Sequence, residues 1–205
     1  MKDKRKTMPD LTVDSPEHQT AMAVGNSNFS SWQYNVVDKF KSMDADSIKS
    51  ELRKTALPFA VCMENWLGDF NMATAIRNAN AFNAKEIFYI GNKRWDRRGA
   101  VGVQNYSEIK WISHLDELIK LRDKYVFVGI DNIPGSVSIH THHFIPNTLM
   151  FFGEEGVGLT PAIQSLCDVI LHIDMFGSVR SLNCGTASGI AMYEFASQYT
   201  ANYKR

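Results

Sequence analysis

The sequence predicts an α/β fold: a mostly parallel sheet flanked by helices, with a short helical extension ahead of it. Three observations carry this. Compact apolar runs at 59–63, 87–90, 126–130, 149–152 and 169–173 have the length of buried strands. Between them lie longer segments with apolar residues at helical spacing, the alternation that builds parallel sheets. Two glycine loops, 153–158 and 177–189, each stand where a strand hands over to a helix. That junction is where open parallel sheets bind ligands and where helix N-termini offer free N–H groups.

In chain order, residues 1–30 are polar, hold two prolines and lack an apolar period, so they read as a poorly ordered arm. From Trp32 the pattern changes: Trp32, Val36, Val37 and Phe40 recur at helical spacing, and 43–52 continue it after a break at 44–46. One or two helices over 31–56 should pack on the main domain, 57–205, and end before Pro58. The run 59–63 is the first strand. An alanine-rich helix follows over 71–82, with Ile76, Ala79 and Phe82 on one face and Asp69 or Asn71 as its cap. A strand at 87–90, an amphipathic helix at 115–121 and a strand at 126–130 come next. The last quarter reads strand, glycine loop, helix, strand, glycine loop, helix.

Composition bounds the class. With 205 residues, 44% hydrophobic and 21% charged, the chain can bury a full core. A formal net charge of zero means that any nucleic-acid surface must be a local patch. Cys62, Cys167 and Cys184 are few, scattered and set among apolar or small residues, which suits buried thiols in a reducing cytosol better than a disulfide or a zinc site. No leader-like or membrane-length apolar stretch is evident, so a soluble cytoplasmic protein without a membrane partner is expected.

The loop GEEGVG lacks the Lys-Ser/Thr of a P-loop and the pattern of a dinucleotide fold. Its carboxylates Glu154 and Glu155 would repel a pyrophosphate; they suit a cationic or zwitterionic ligand, or simple solvation. In GSVRSLNCGTASG, Ser181 or Asn183 can cap the final helix, which leaves Arg180 and the tight glycine bend unexplained. Arg77, in an otherwise apolar helix, calls for an anionic partner: Glu64 or Asp69 in a salt bridge, or a substrate phosphate. His140, His142 and His143 have loop spacing with no cysteine or carboxylate near, so no metal is expected. Lys93, Arg94, Arg97 and Arg98 bracket Trp95 in one loop and, with Arg180, suggest a basic patch with an aromatic platform for RNA.

Taken together, three blocks resemble motifs one to three of the SpoU/TrmH family of RNA ribose 2′-O-methyltransferases, within the SPOUT superfamily. They are E-N-x-x-x-x-x-N-x-x-x-x-x-R (64–77), F-G-E-E-G-x-G-L (152–159) and I-D-M-x-G-S-V-R-S-L-N (173–183). Ala73 stands where many relatives carry glycine or serine. The resemblance, over roughly 57–200, implies a homodimer and a C-terminal trefoil knot that forms the cofactor pocket. It implies S-adenosylmethionine held by backbone near Gly153, Ile173 and Leu182, with Asn132 and Pro134 lining the same pocket. Arg77, Asn71, Glu155, Ser181 and Asn183 match the family's active-site positions. A guanidinium with pKa above about 12 is a poor base, so Arg77 is expected to clamp a phosphate while Glu155 or water takes the proton. The brevity of the chain points to tRNA ahead of rRNA. A non-catalytic RNA-binding protein of the same fold and a Rossmann-type enzyme are the rival readings, the second disfavoured because the glycine loops come last.

Overall fold

The computed structural model describes residues 36–65 and 71–203. The arm at 1–30, Trp32 and Asp69 lie outside them. Seven strands form one sheet: β1 (Leu57–Asn65), β2 (Ala84–Gly91), β3 (Ile109–Ile112), β4 (Val126–Ile130), β5 (Val137–Ser138), β6 (Thr148–Phe152) and β7 (Val169–His172). Their order is β3-β2-β1-β6-β4-β7-β5, and every pairing is parallel. All C-terminal ends therefore share one edge.

Strand alternation sorts the core into two layers. Phe59, Val61 and Met63 of β1, with Val128, Ile130, Met150 and Phe152, face a layer built by three helices: α1 (Ala45–Lys54), α2 (Asn71–Ala81) and the final helix, α5 (Cys184–Tyr203). Ala60, Cys62, Phe127, Leu149 and Phe151 face the opposite layer, where α3 (Leu115–Ile119) supplies Leu118 and α4 (Pro161–Leu166) supplies Ile163. Burial on both faces explains why the strands read as continuous apolar runs. Phe195 alone, its ring tilted against Phe59 with centres 4.7 Å apart, brings about 2 kcal/mol of apolar burial from α5.

Small residues let α2 and α5 approach closely. A Cβ on Gly185 would lie 2.7 Å from the Thr74 side chain. The contact is also polar: Asn78 Nδ2 donates to the Gly185 carbonyl at 2.8 Å and to Ser188 Oγ at 3.0 Å. This pairing ties the helix after β1 to the chain's tail.

Several expectations are refined. Ahead of the sheet there is a 3-10 turn (Asp38–Phe40) and then α1, whose cap Asp44 accepts from the Ser47 backbone N–H at 2.8 Å. The helix expected over 115–121 ends at Ile119 and tightens into a 3-10 turn (Lys120–Asp123). Strand β3 was not expected. It is a four-residue edge strand whose middle residues are exposed, so it lacks a buried strand's apolar run. Strand β5, two residues long, has no periodicity to read.

Candidate functional site

The first glycine loop leaves β6 and folds back on itself. Glu154 and Gly158 exchange backbone hydrogen bonds of 3.2 and 2.8 Å. The closure demands glycine at both ends: a Cβ on Gly153 would sit 2.0 Å from the Gly158 carbonyl carbon, and Gly158 has φ +74° with its missing Cβ 2.4 Å from Asp131 Oδ2. Two strand-end carboxylates then pin the exit. Asp131, after β4, accepts from the Leu159 N–H at 2.8 Å. Glu64, on β1, accepts from the Thr160 N–H at 2.8 Å and the Thr160 hydroxyl at 2.6 Å. The neighbouring carboxylates thus part company: Glu154 is buried and Glu155 is exposed.

The second glycine loop bonds to the strand-end loops after β4 and β6 and enters α5. Asn132 Nδ2 donates to the Arg180 carbonyl at 2.9 Å, and the Cys184 thiol donates to the Gly153 carbonyl at 3.0 Å. Asn183 Oδ1 accepts from the Thr186 N–H at 3.2 Å, in the first turn of α5. Its amide nitrogen faces the other way, donating to Asn71 Oδ1 at 2.8 Å and Glu155 Oε2 at 2.9 Å. Asn71 Nδ2 closes the triangle, donating to the same Glu155 oxygen at 2.7 Å. Three polar residues from α2, the first glycine loop and the entry to α5 therefore meet. Two amide donors on Oε2 fix the carboxylate's orientation and leave Oε1 as an acceptor.

Between the loops lies a cleft of about 440 Å³ at the C-terminal ends of β4, β6 and β7. Gly153, Ile173, Leu182 and Asn132, expected for the cofactor, all line it, as do Glu155, Ser181 and Arg180. Asn71 and Asn183 reach its rim through Glu155. Pro134 is not among the lining residues. Asp131 and Glu64 were not legible in the sequence as pins of the loop; only their places at strand ends hint at it.

Arg77 departs from expectation. It is exposed, because the buried stripe of α2 runs through Met72, Ala73, Ala75, Ile76 and Ala79 and leaves position 77 outside. Glu64 is engaged with Thr160, so the salt bridge to it does not form, and among the described residues Arg77 makes no ion pair. It lies instead on the side of Tyr106, whose hydroxyl is pushed up by burial and pulled down by the Arg77 charge.

The basic loop after β2 is anchored from beneath. Asn65 Nδ2 donates to the Asn92 and Arg94 carbonyls at 2.6 and 3.1 Å, and the Tyr89 hydroxyl donates to the Lys93 carbonyl at 3.0 Å. Trp95 is half-buried against the core, with the Arg97 guanidinium 5.9 Å from its ring centre. Arg98 is paired with Asp96 at 2.6 Å. Lys93, Arg94 and Arg97 are exposed and form no ion pair among the described residues. Arg180 stands apart, on the cleft.

The histidine segment packs locally: His142 meets the Phe144 ring edge-on at 4.9 Å, and burial, with His143 beside it, lowers its pKa. Among the described residues no group of three or more His, Cys, Asp or Glu could hold a metal ion, and no helix is long and apolar enough to cross a membrane. Burial raises the Cys62 thiol, and lifts that of Cys167 to about 12.

Residues 58–193 match the SpoU rRNA Methylase family. The chain is 25% identical over 171 residues to the 23S rRNA (guanosine-2′-O-)-methyltransferase RlmB of Coxiella burnetii, covering 80% of this chain and 68% of that protein. The TrmH/SpoU tRNA modifying enzyme of A. aeolicus superposes with a TM-score of 0.66 at 20% identity, over 77% of this chain and 85% of that one. The SpoU methyltransferase AviRb of Streptomyces viridochromogenes, in complex with the cofactor AdoMet, gives 0.65 at 24% identity, over 71% and 62%.

Proposed function

The chain belongs to the SpoU rRNA Methylase family, and on that premise we propose that it transfers a methyl group from S-adenosylmethionine to a ribose 2′-hydroxyl of RNA. The observation that carries the reading is the cleft between the glycine loops with the Asn71–Glu155–Asn183 cluster at its rim.

The residues present fit this cofactor. A cleft of about 440 Å³ is of small-molecule size. Its wall combines main-chain groups of both glycine loops with the apolar Ile130, Ile173 and Leu182, suited to an adenine ring and a methionyl tail. Glu155 brings an exposed carboxylate to the cleft wall, complementary to a sulfonium or an ammonium. The bound cofactor supplies an already electrophilic methyl, so no metal is required.

What remains for the protein is alignment and a proton. Glu155, oriented by two amides, keeps Oε1 free to accept the proton of a ribose hydroxyl or of an intervening water. Ser181, exposed on the cleft wall, offers a hydroxyl to the same region. Arg77, exposed and without an ion pair among the described residues, is suited to gripping an RNA phosphate, a role a guanidinium fills better than that of base.

The sequence relatives named for guanosine 2′-O-methylation of 23S rRNA make rRNA the favoured substrate. The tRNA preference expected from chain length gains no support from them. Self-association is part of the proposal: Phe176 is 99% exposed, with Val179 and Tyr193 exposed as well. The C-terminal knot also belongs to the proposal; what supports it is that the tail bonds to two strand-end loops, Arg180 to Asn132 after β4 and Cys184 to Gly153 after β6.

The decisive experiment incubates the protein with methyl-labelled S-adenosylmethionine and an rRNA transcript, then hydrolyses the RNA in alkali. The label should survive in an alkali-resistant dinucleotide, because a methylated 2′-oxygen cannot attack the adjacent phosphate. Label on free bases, or none with any structured RNA offered, would overturn the reading.

A further inference from the structure

A second cleft opens on the same edge of the sheet, at the C-terminal ends of β2 and β3, and the methyl transfer proposed above makes no use of it. It measures about 430 Å³ and is lined by Ile90, Gly91, Ser113, His114, Leu115 and Asp116. Beside it stands Trp111, 38% exposed, its indole N–H donating to the Gly91 carbonyl at 3.0 Å. That bond fixes the ring next to the opening. The Lys93 ammonium lies 5.0 Å from the indole centre.

Edge protection accounts for part of this arrangement but not all. Lys110, the neighbouring residue on β3, already supplies the charge that blunts an edge strand, paired with Glu86 at 2.7 Å. It does not explain an indole left open to water next to a loop whose exposed Lys93, Arg94 and Arg97 form no ion pair among the described residues. Cations held on an anchored loop next to an aromatic face are the elements of single-strand recognition: charge for the backbone, a π-face for the base. A neutral protein surface would leave those cations buried without counterions, so the charge pattern selects a polyanion.

We infer that Trp111, Lys93 and the cleft behind them form a stacking subsite for one unpaired nucleotide of the RNA substrate, close to the nucleotide that is methylated. This rests on the RNA reading above and adds a second point of contact to it. The sheet order places the β3/β2 gap three strand spacings from the β6/β4 gap, roughly 15 Å at about 4.8 Å each. A single strand lying along this edge reaches both clefts, with Arg94 and Arg97 beside its backbone. The base lies on the indole, and Lys93 moves from the ring to the adjoining phosphate.

The test uses the full-length protein and a fluorescein-labelled single-stranded oligoribonucleotide, followed by anisotropy at low salt. Trp111→Ala should weaken binding about tenfold, the loss of one stacked base, and Trp111→Phe should restore most of it. A 5-iodouridine oligonucleotide should crosslink to Trp111. S-adenosylmethionine binding by calorimetry, which separates this inference from the methyl-transfer reading, should match the unaltered protein in both variants. Unchanged RNA affinity in Trp111→Ala overturns the subsite, as does a folded Trp111→Phe that binds no better than Trp111→Ala. A change confined to self-association on sedimentation would assign the face to a second copy and overturn it equally. Binding of RNA through Trp111 by a protein that takes up no S-adenosylmethionine would remove the methyl-transfer reading and leave this one standing.

Discussion

Asn183 uses the two ends of one amide for two tasks. Its oxygen accepts from the first turn of α5 and its nitrogen holds Glu155 and Asn71. The tasks separate by substitution. Asn183→Asp keeps an acceptor for the cap, so its unfolding midpoint in urea should exceed that of Asn183→Ala, which loses about 1 kcal/mol. Both should lower methyl transfer at least about tenfold, since neither donates to Glu155 and the aspartate also repels it. Equal activity in Asn183→Asp and the parent protein would remove the cluster from the mechanism. Gly153 is constrained more bluntly. Its added methyl would meet backbone at 2.0 Å, which cannot yield as a side chain can, so Gly153→Ala should weaken S-adenosylmethionine binding by more than about tenfold in calorimetry.

Among the elements, the outer strands are tied together at Glu86 on β2. Lys110 on β3, Lys124 and Tyr125 all bond its carboxylate. Burial raises its pKa, but the hydrogen bonds from Lys110, Lys124 and Tyr125 outweigh it and bring the value from 4.5 down to about 2. The folded pKa is the lower one, so the contribution is fully present above the unfolded value and is lost as pH falls from about 4.5 towards 2. With the lysines half-exposed and screened, that amounts to on the order of 2 kcal/mol. Urea unfolding from neutral pH into this acid window should flatten by about that amount in Glu86→Gln. An unchanged profile would show that the cluster adds no pH-linked stability.

For the molecule as a whole, a net charge of zero confines RNA attraction to local surfaces. Lys93, Arg94 and Arg97, on the loop after β2, are exposed and form no ion pair among the described residues. Replacing all three by alanine should reduce the slope of log affinity against log salt by about 2, from about 0.7 per single-strand phosphate contact. A slope that stays the same removes the loop from the binding surface. Ligand linkage gives a second whole-molecule readout: S-adenosylmethionine at about a hundred times its Kd should stabilise the protein by about 2.7 kcal/mol, raising Tm.

Periodicity and composition were enough to place the central strands, because a strand buried on both faces must be apolar at every position: 126–130 coincides with β4. What drew Asn71, Glu155 and Asn183 together from the sequence was the resemblance of their three blocks to the SpoU/TrmH motifs, not periodicity or composition. The edge strand β3 escaped, since half-exposed residues carry no such signature. The exposure of Arg77 escaped because one arginine on an alanine-rich helix reads alike whether it faces the core or water. Only the tertiary structure decided that residues 112 positions apart share a hydrogen bond, that Glu64 and Asp131 brace the first glycine loop, and that Trp111 stands open beside the basic loop. The physical reason is one of range: side-chain chemistry and local spacing are written in neighbouring residues, whereas the order in which parallel strands are laid side by side sets which distant loops meet.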